Sequence, residues 1–181
     1  MSFSIQPILA CERAILQPLA EADFEVLYNL AADPKVWEQH PNKDRWKKEV
    51  FQSFFEGAMA SKGAFKIIDK RTGQVAGCTR FYDYNEAENC ILVGYTFYGT
   101  PYWGSGLNQA VKHLMLDYVF QYVDKVQLHV GAVNKRSQIA VERLGAVKVA
   151  EEEIAYYGEA AKLNFVYEIP RETWLLRSVL P

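Results

Sequence analysis

The sequence predicts a mixed α/β sheet of about seven mostly antiparallel strands with about four helices, in one domain spanning residues 1–181. Three observations predict it. Residues 64–98 are rich in Val, Ile, Phe and Tyr and are joined by short connections, the pattern of an antiparallel meander. Two segments with helical apolar spacing precede that run. A strand–helix–strand order follows it, so the strand after the helix should run parallel to the one before.

Each element has its own signal. Residues 14–19 read as a first strand, with Pro18 near its end. Residues 21–32 carry Phe24, Leu27, Tyr28, Leu30 and Ala31 at helical spacing and stop ahead of Asp33-Pro34. Residues 44–60 form a second helix with Asp44 as N-cap and an apolar stripe of Val50, Phe51, Phe54, Phe55 and Ala58. Strands follow at 64–69, 74–84 and 90–98, and Gly77 and Gly94 mark bulges or close backbone approach. Leu107, Val111, Leu114, Tyr118 and Tyr122 then place a helix against the core, with Lys112, Asp117 and Gln121 on its other side. In 125–133, Val126, Leu128, Val130 and Ala132 share one strand face. A helix from Asn134 ends at Gly145, and strands at 147–156 and 162–169 close the sheet.

Composition narrows the function. The chain has 20 Lys plus Arg against 22 Asp plus Glu, a net charge of −2, which argues against general binding to nucleic acid or a membrane surface. Three cysteines without metal-type spacing fit a reducing, cytoplasmic setting, and no metal site is implied. Residues 1–10 lack a signal-peptide pattern, and no apolar run approaches the ~18 residues of a membrane span.

The sharpest local signal is Tyr102-Trp103-Gly104-Ser105-Gly106-Leu107-Asn108, a tight glycine turn between a strand and a helix. Unpaired N–H groups converge at such a helix start, where the dipole adds about half a positive charge, so the turn is a candidate phosphate cradle. It is neither a Walker A loop nor a dinucleotide fingerprint. Asn134 is a good N-cap by itself, and Ser137 is unremarkable at the third helical position.

In order, Gly94-Tyr95, Tyr102-Trp103-Gly104, Asn134 with Ser137, and Leu144-Gly145-Ala146 resemble the GNAT N-acetyltransferases, specifically the RimJ/RimL-like group that includes ribosomal-protein alanine N-acetyltransferases. The resemblance spans nearly the whole chain. It implies acetyl-coenzyme A as cofactor, with its pyrophosphate on the backbone of Gly104, Ser105, Gly106, Leu107 and Asn108 beside Trp103. It also implies that the strand ending at Tyr98 splays from its parallel neighbour, so that pantetheine pairs with the opened edge and Phe97 or Tyr98 supplies an oxyanion-stabilising amide. Asn134 would contact the pantetheine arm, with Arg136 beside it. Ser137 would be the acid for the leaving thiolate, since the tyrosine many members place four residues before the glycine of the Leu-Gly pair is Val141 here.

The acceptor implied is a primary amine. An α-amine with pKa near ~8 costs about 1 kcal/mol to deprotonate at pH 7, against about 4.6 kcal/mol for a lysine near ~10.4. A protein N-terminal amine can therefore manage with a water-mediated base, while a small-molecule amine, or a non-catalytic coenzyme A-binding module, stays open. Glu88, Glu153, Tyr156 and His40 are the candidate bases, and Trp37, His40 and Tyr156 the candidate acceptor-site residues. The oligomeric state is read as monomer or homodimer.

Overall fold

The computed structural model describes residues 3–177. Its frame is an eight-stranded sheet in the order β1-β2-β3-β4-β5-β6-β8-β7. The strands are β1 (Leu9–Ala10), β2 (Ala14–Pro18), β3 (Ala64–Asp69), β4 (Gln74–Asn85), β5 (Cys90–Tyr98), β6 (Lys125–Gly131), β7 (Val147–Ile154) and β8 (Lys162–Pro170). The helices are α1 (Phe24–Ala31), α2 (Lys48–Ala60), α3 (Leu107–Val119), α4 (Lys135–Arg143) and α5 (Arg171–Arg177).

The meander and the parallel pair are both present: β2 to β5 pair antiparallel in sequence, and β5 pairs β6 in parallel. The two-residue β1 raises the strand number from seven to eight. Helix α5 was not expected; Trp174 seats it on the core, with its indole N–H donating to Asp117 at 2.8 Å. The second helix starts at Lys48 rather than Asp44, whose carbonyl instead closes a turn onto the Lys47 N–H. That turn lets Arg45 fold inward, onto Glu159. The first helix opens with a 3-10 turn, Glu21–Asp23, where Asp23 accepts from the Ala20 N–H and from Lys66.

Alternation along the strands divides the core into two layers. Leu16, Phe65, Ile67 and Val126 pack under α3, together with Leu107, Val111 and Met115. Ala64, Cys78 and Phe97 face the other way, onto Leu27, Phe51, Phe54 and Phe55 of α1 and α2. Each layer removes large apolar side chains from water, at about 25 cal/mol per Å² of apolar surface.

Two irregularities shape the centre of the sheet. Parallel pairing of β5 with β6 runs through Cys90–Lys125, Ile91–Val126 and Leu92–Gln127. Beyond Leu92 the strands diverge, which opens the gap that the sequence led us to expect. Between β4 and β5 the register jumps from Cys78–Phe97 to Arg80–Gly94, so Thr79 faces a bulge. Tyr95 sits in that bulge at φ 50°, a left-handed conformation costly for a non-glycine residue. Gly94 lies at the bulge, and a Cβ on Gly77 would stand 1.9 Å from the Phe97 carbonyl oxygen, so both glycines serve the roles their positions predicted.

Candidate active site

A cleft of about 930 Å³ follows the diverging strands from the glycine turn to the tyrosines of the opposite layer. At one end, Gly104 and Gly106 have φ of 68° and 78°, which only glycine adopts at little cost. Gly106 is the N-cap of α3, and a Cβ at either glycine would meet nothing within 4 Å. The cradle therefore presents bare backbone to open space at a helix start, the arrangement a pyrophosphate fits. Ser105 donates its hydroxyl to the Tyr102 carbonyl at 2.7 Å, which holds the turn in shape. Asn108, one step into the helix, has a buried Oδ1 without a hydrogen-bond partner among the described residues. Lys135, Arg136 and Arg143 of α4 add positive charge to the lining. These residues fit a polyanionic coenzyme.

Along β5, backbone direction separates Phe97 from Tyr98. The Gly99 N–H bonds the Ala76 carbonyl at 3.0 Å, so the next pair, Gly77 with Tyr98, turns its amides outward. The Tyr98 carbonyl accepts from Trp103 Nε1 at 3.0 Å, and pleating carries the Tyr98 N–H to that same, β6-facing side. Phe97 pairs with Cys78 instead, and its ring lies in the α1–α2 layer. The Tyr98 phenol is itself buried without a hydrogen-bond partner among the described residues, and burial pushes its pKa well up.

Helix α4 lines the far wall. Asn134 caps it by accepting from the Ser137 N–H at 3.1 Å, so the capping role is real, and both residues also line the cleft. Arg136 donates to the Val36 carbonyl at 3.2 Å, and its guanidinium lies 4.2 Å from the centroid of the Trp103 ring. The glycine turn and α4 are thereby joined across the cleft.

At the acceptor end, Trp37 is almost fully buried and donates its indole N–H to the Ala31 carbonyl at 2.8 Å. It supports the wall more than it meets solvent. Tyr156 donates to Asn164 at 3.0 Å and packs edge-on against Tyr95. Burial raises the Tyr156 pKa, so at neutral pH this phenol stays protonated and is no base. His40 Nε2 lies 3.2 Å from Arg45, which can only donate, so that nitrogen's lone pair is taken. Burial first, and then the Arg45 charge, hold the His40 pKa well below its usual value.

Two expected base candidates are absent from the cleft. Glu88 lies in the β4–β5 turn, more than half exposed, and its carboxylate takes Lys125 at 2.9 Å. It stands where β5 and β6 are still paired, whereas the cleft forms at their other ends. Glu153 is exposed on the edge strand β7.

The structure instead brings in two residues that the sequence analysis does not place at the site. His129 lines the cleft from β6, with a buried Nδ1 that has no partner among the described residues. Burial lowers its pKa, against opposing pulls from Glu152 and Asp83. Its signal was the alternation of Val126, Leu128 and Val130, which turns His129 to the face opposite α3. Lys112, expected on the solvent side of α3, is 6% exposed and also lines the cleft. Its Nζ lies 2.7 Å from Thr96 Oγ1 and 3.2 Å from Thr79 Oγ1, and burial lowers its pKa to about 7. Cys78 and Cys90 are buried thiols pushed up to about 12 and about 11, unsuited to nucleophilic work. Among the described residues, no helix is long and apolar enough to cross a membrane.

Comparison with known proteins agrees with this geometry. Solved structures share the fold at low identity. One is a GCN5-related N-acetyltransferase from Brucella melitensis (17% identity, TM-score 0.80, covering 94% of this chain and 81% of that one). Another is a GNAT-family acetyltransferase from Bacillus anthracis (18%, TM-score 0.74, 92% and 99%). A third is a spermidine N-acetyltransferase from Vibrio cholerae in complex with CoA and spermine (15%, TM-score 0.69, 91% and 99%). The family model for the acetyltransferase (GNAT) domain matches residues 13–147. With the splayed parallel strands and the bare glycine cradle in place, that match establishes that the chain belongs to the GNAT family and is an acetyl-coenzyme A-dependent N-acetyltransferase.

Proposed function

We propose that the cleft transfers an acetyl group directly to a primary α-amine, of the kind found at a protein N-terminus and acted on by RimJ/RimL-like enzymes. The observation that carries this reading is the continuity of the cleft: the glycine cradle, the Tyr98 edge and the His129 face line one space. Bound acetyl-coenzyme A supplies the activated acyl group as a thioester. The backbone of residues 104–108 holds its pyrophosphate, and Asn134 and Arg136 flank its arm. The Tyr98 N–H donates to the acyl oxygen as negative charge develops there. His129 takes the proton from the attacking amine, directly or through one water. The Ser137 hydroxyl relays a proton from solvent to the departing sulfur, taking one from water as it gives its own; a thiol of pKa near ~8.5 needs only mild help.

An α-amine suits this machinery because a histidine with a lowered pKa is a mild base that is already neutral at pH 7. The lining also contains no Asp or Glu among the described residues, so a polyamine's additional ammonium groups would find no carboxylate inside. The test is a thiol-release assay over N-terminal peptides, amino acids and polyamines, beside a thermal-shift titration with acetyl-coenzyme A. Peptide α-amines should be the best acceptors. A melting shift without thiol release from any amine would favour a coenzyme A-binding regulatory module instead.

Ser137→Ala should lower kcat about tenfold or more and leave acetyl-coenzyme A affinity within about twofold, because the cap uses the residue's backbone N–H. An unchanged kcat removes Ser137 as the acid.

A further inference from the structure

We infer that Lys112 is a positioning residue for the acyl-transfer step, holding the β5 bulge in the register that aims the Tyr98 amide into the cleft. This rests on the acetyl-transfer reading above. The bulge needs such a device. The register jump leaves Thr79 facing residues 94–96 with no regular partner, and Tyr95 is held at φ 50°. A strand in this state relaxes unless its surroundings over-determine it.

Lys112 supplies the constraint from outside the sheet. Its Nζ donates to Thr79 on one strand and to Thr96 on the other, both within the irregular stretch. The two hydroxyls are 2.7 Å apart, and Thr96 Oγ1 donates onward to the Gly94 carbonyl at 3.3 Å. One side chain thus ties both strands and the first bulge residue to α3. The same helix begins at the glycine cradle, so the pyrophosphate site and the oxyanion donor share one rigid element. Among the described residues Lys112 has no carboxylate hydrogen-bonded to it, and Cys78, whose charge would act on it, is a neutral thiol. A lysine that stays buried between two threonines, without a counter-ion, pays desolvation that a Leu or Met at this position would avoid. Packing alone therefore gives no account of it.

The test combines kinetics with hydrogen exchange on the full chain. Lys112→Met and Thr96→Val should each lower kcat about tenfold or more at nearly constant acetyl-coenzyme A affinity, and Thr96→Ser should retain the activity. Amide exchange over residues 94–98 should accelerate about tenfold or more in both impaired variants, while β2 and β3 keep their protection. A kcat per folded molecule within about twofold of the parent in both variants overturns the proposal, as does unchanged exchange at 94–98. If the parent chain acetylates no amine, the transfer reading fails and the exchange measurement still decides whether Lys112 holds the bulge. Thr96→Val keeps the test available should Lys112→Met fail to fold.

Discussion

Gly106→Val is expected to abolish the acetyl-coenzyme A thermal shift and weaken binding by about a hundredfold or more. Two effects act in the same direction. At φ 78° a β-branched residue is strained by about 1–2 kcal/mol or more, so the turn would rearrange to relieve it. A side chain there would also project into the space where, on the proposed reading, bare N–H groups would meet phosphate oxygens. The fold should survive, because a Cβ at this position meets no atom within 4 Å. Isothermal titration of folded variant and parent checks the expectation; affinities within about threefold of each other would remove the turn as the coenzyme's anchor.

His129→Gln carries the second large effect, a fall in kcat of about a hundredfold with acetyl-coenzyme A affinity preserved. Glutamine keeps a polar side chain in the cleft and accepts no proton near neutral pH. The sign of the pH dependence follows from the direction of the shift. Burial lowers the His129 pKa below 6.5, so the imidazole is a neutral, competent base at pH 7 and above. Titration of the acceptor amine itself is shared by parent and variant; beyond it, activity of the parent should fall further as the pH drops through that lowered value. This additional acid limb should lie below pH 6.5 and vanish in His129→Gln, leaving only the limb of the amine. An additional limb that persists in the variant would assign the proton transfer to another group.

These expectations differ in how much of each could be read before the fold was known. The glycine cradle and the Asn134 cap are local: a few consecutive residues set their geometry, so spacing and residue type announced them. The parallel order of β5 and β6 was also legible, since a strand–helix–strand unit has one favoured handedness. Glu88 lies in the turn before β5, bound to Lys125. In space the cleft opens at the other end of that strand, about 3.3 Å further for every residue. His40 and Tyr156 have side chains that could act as bases, but their tertiary neighbours remove that basicity: Arg45 occupies one lone pair, and burial keeps the other side chain protonated.

The sequence by itself determined most of the elements, the glycine turn at the start of α3 and the family, because each depends on backbone conformation and periodic patterns within short stretches. Only the tertiary structure decided which polar side chains share the cleft. It moved Lys112 from the solvent face of α3 to a pair of threonines, and it turned His129 toward the acceptor layer. The physical reason is that burial, a missing counter-ion and an unpaired nitrogen are properties of neighbours brought together from distant positions. Residues 79, 96 and 112 meet only after the sheet has bulged and the helix has packed beneath it.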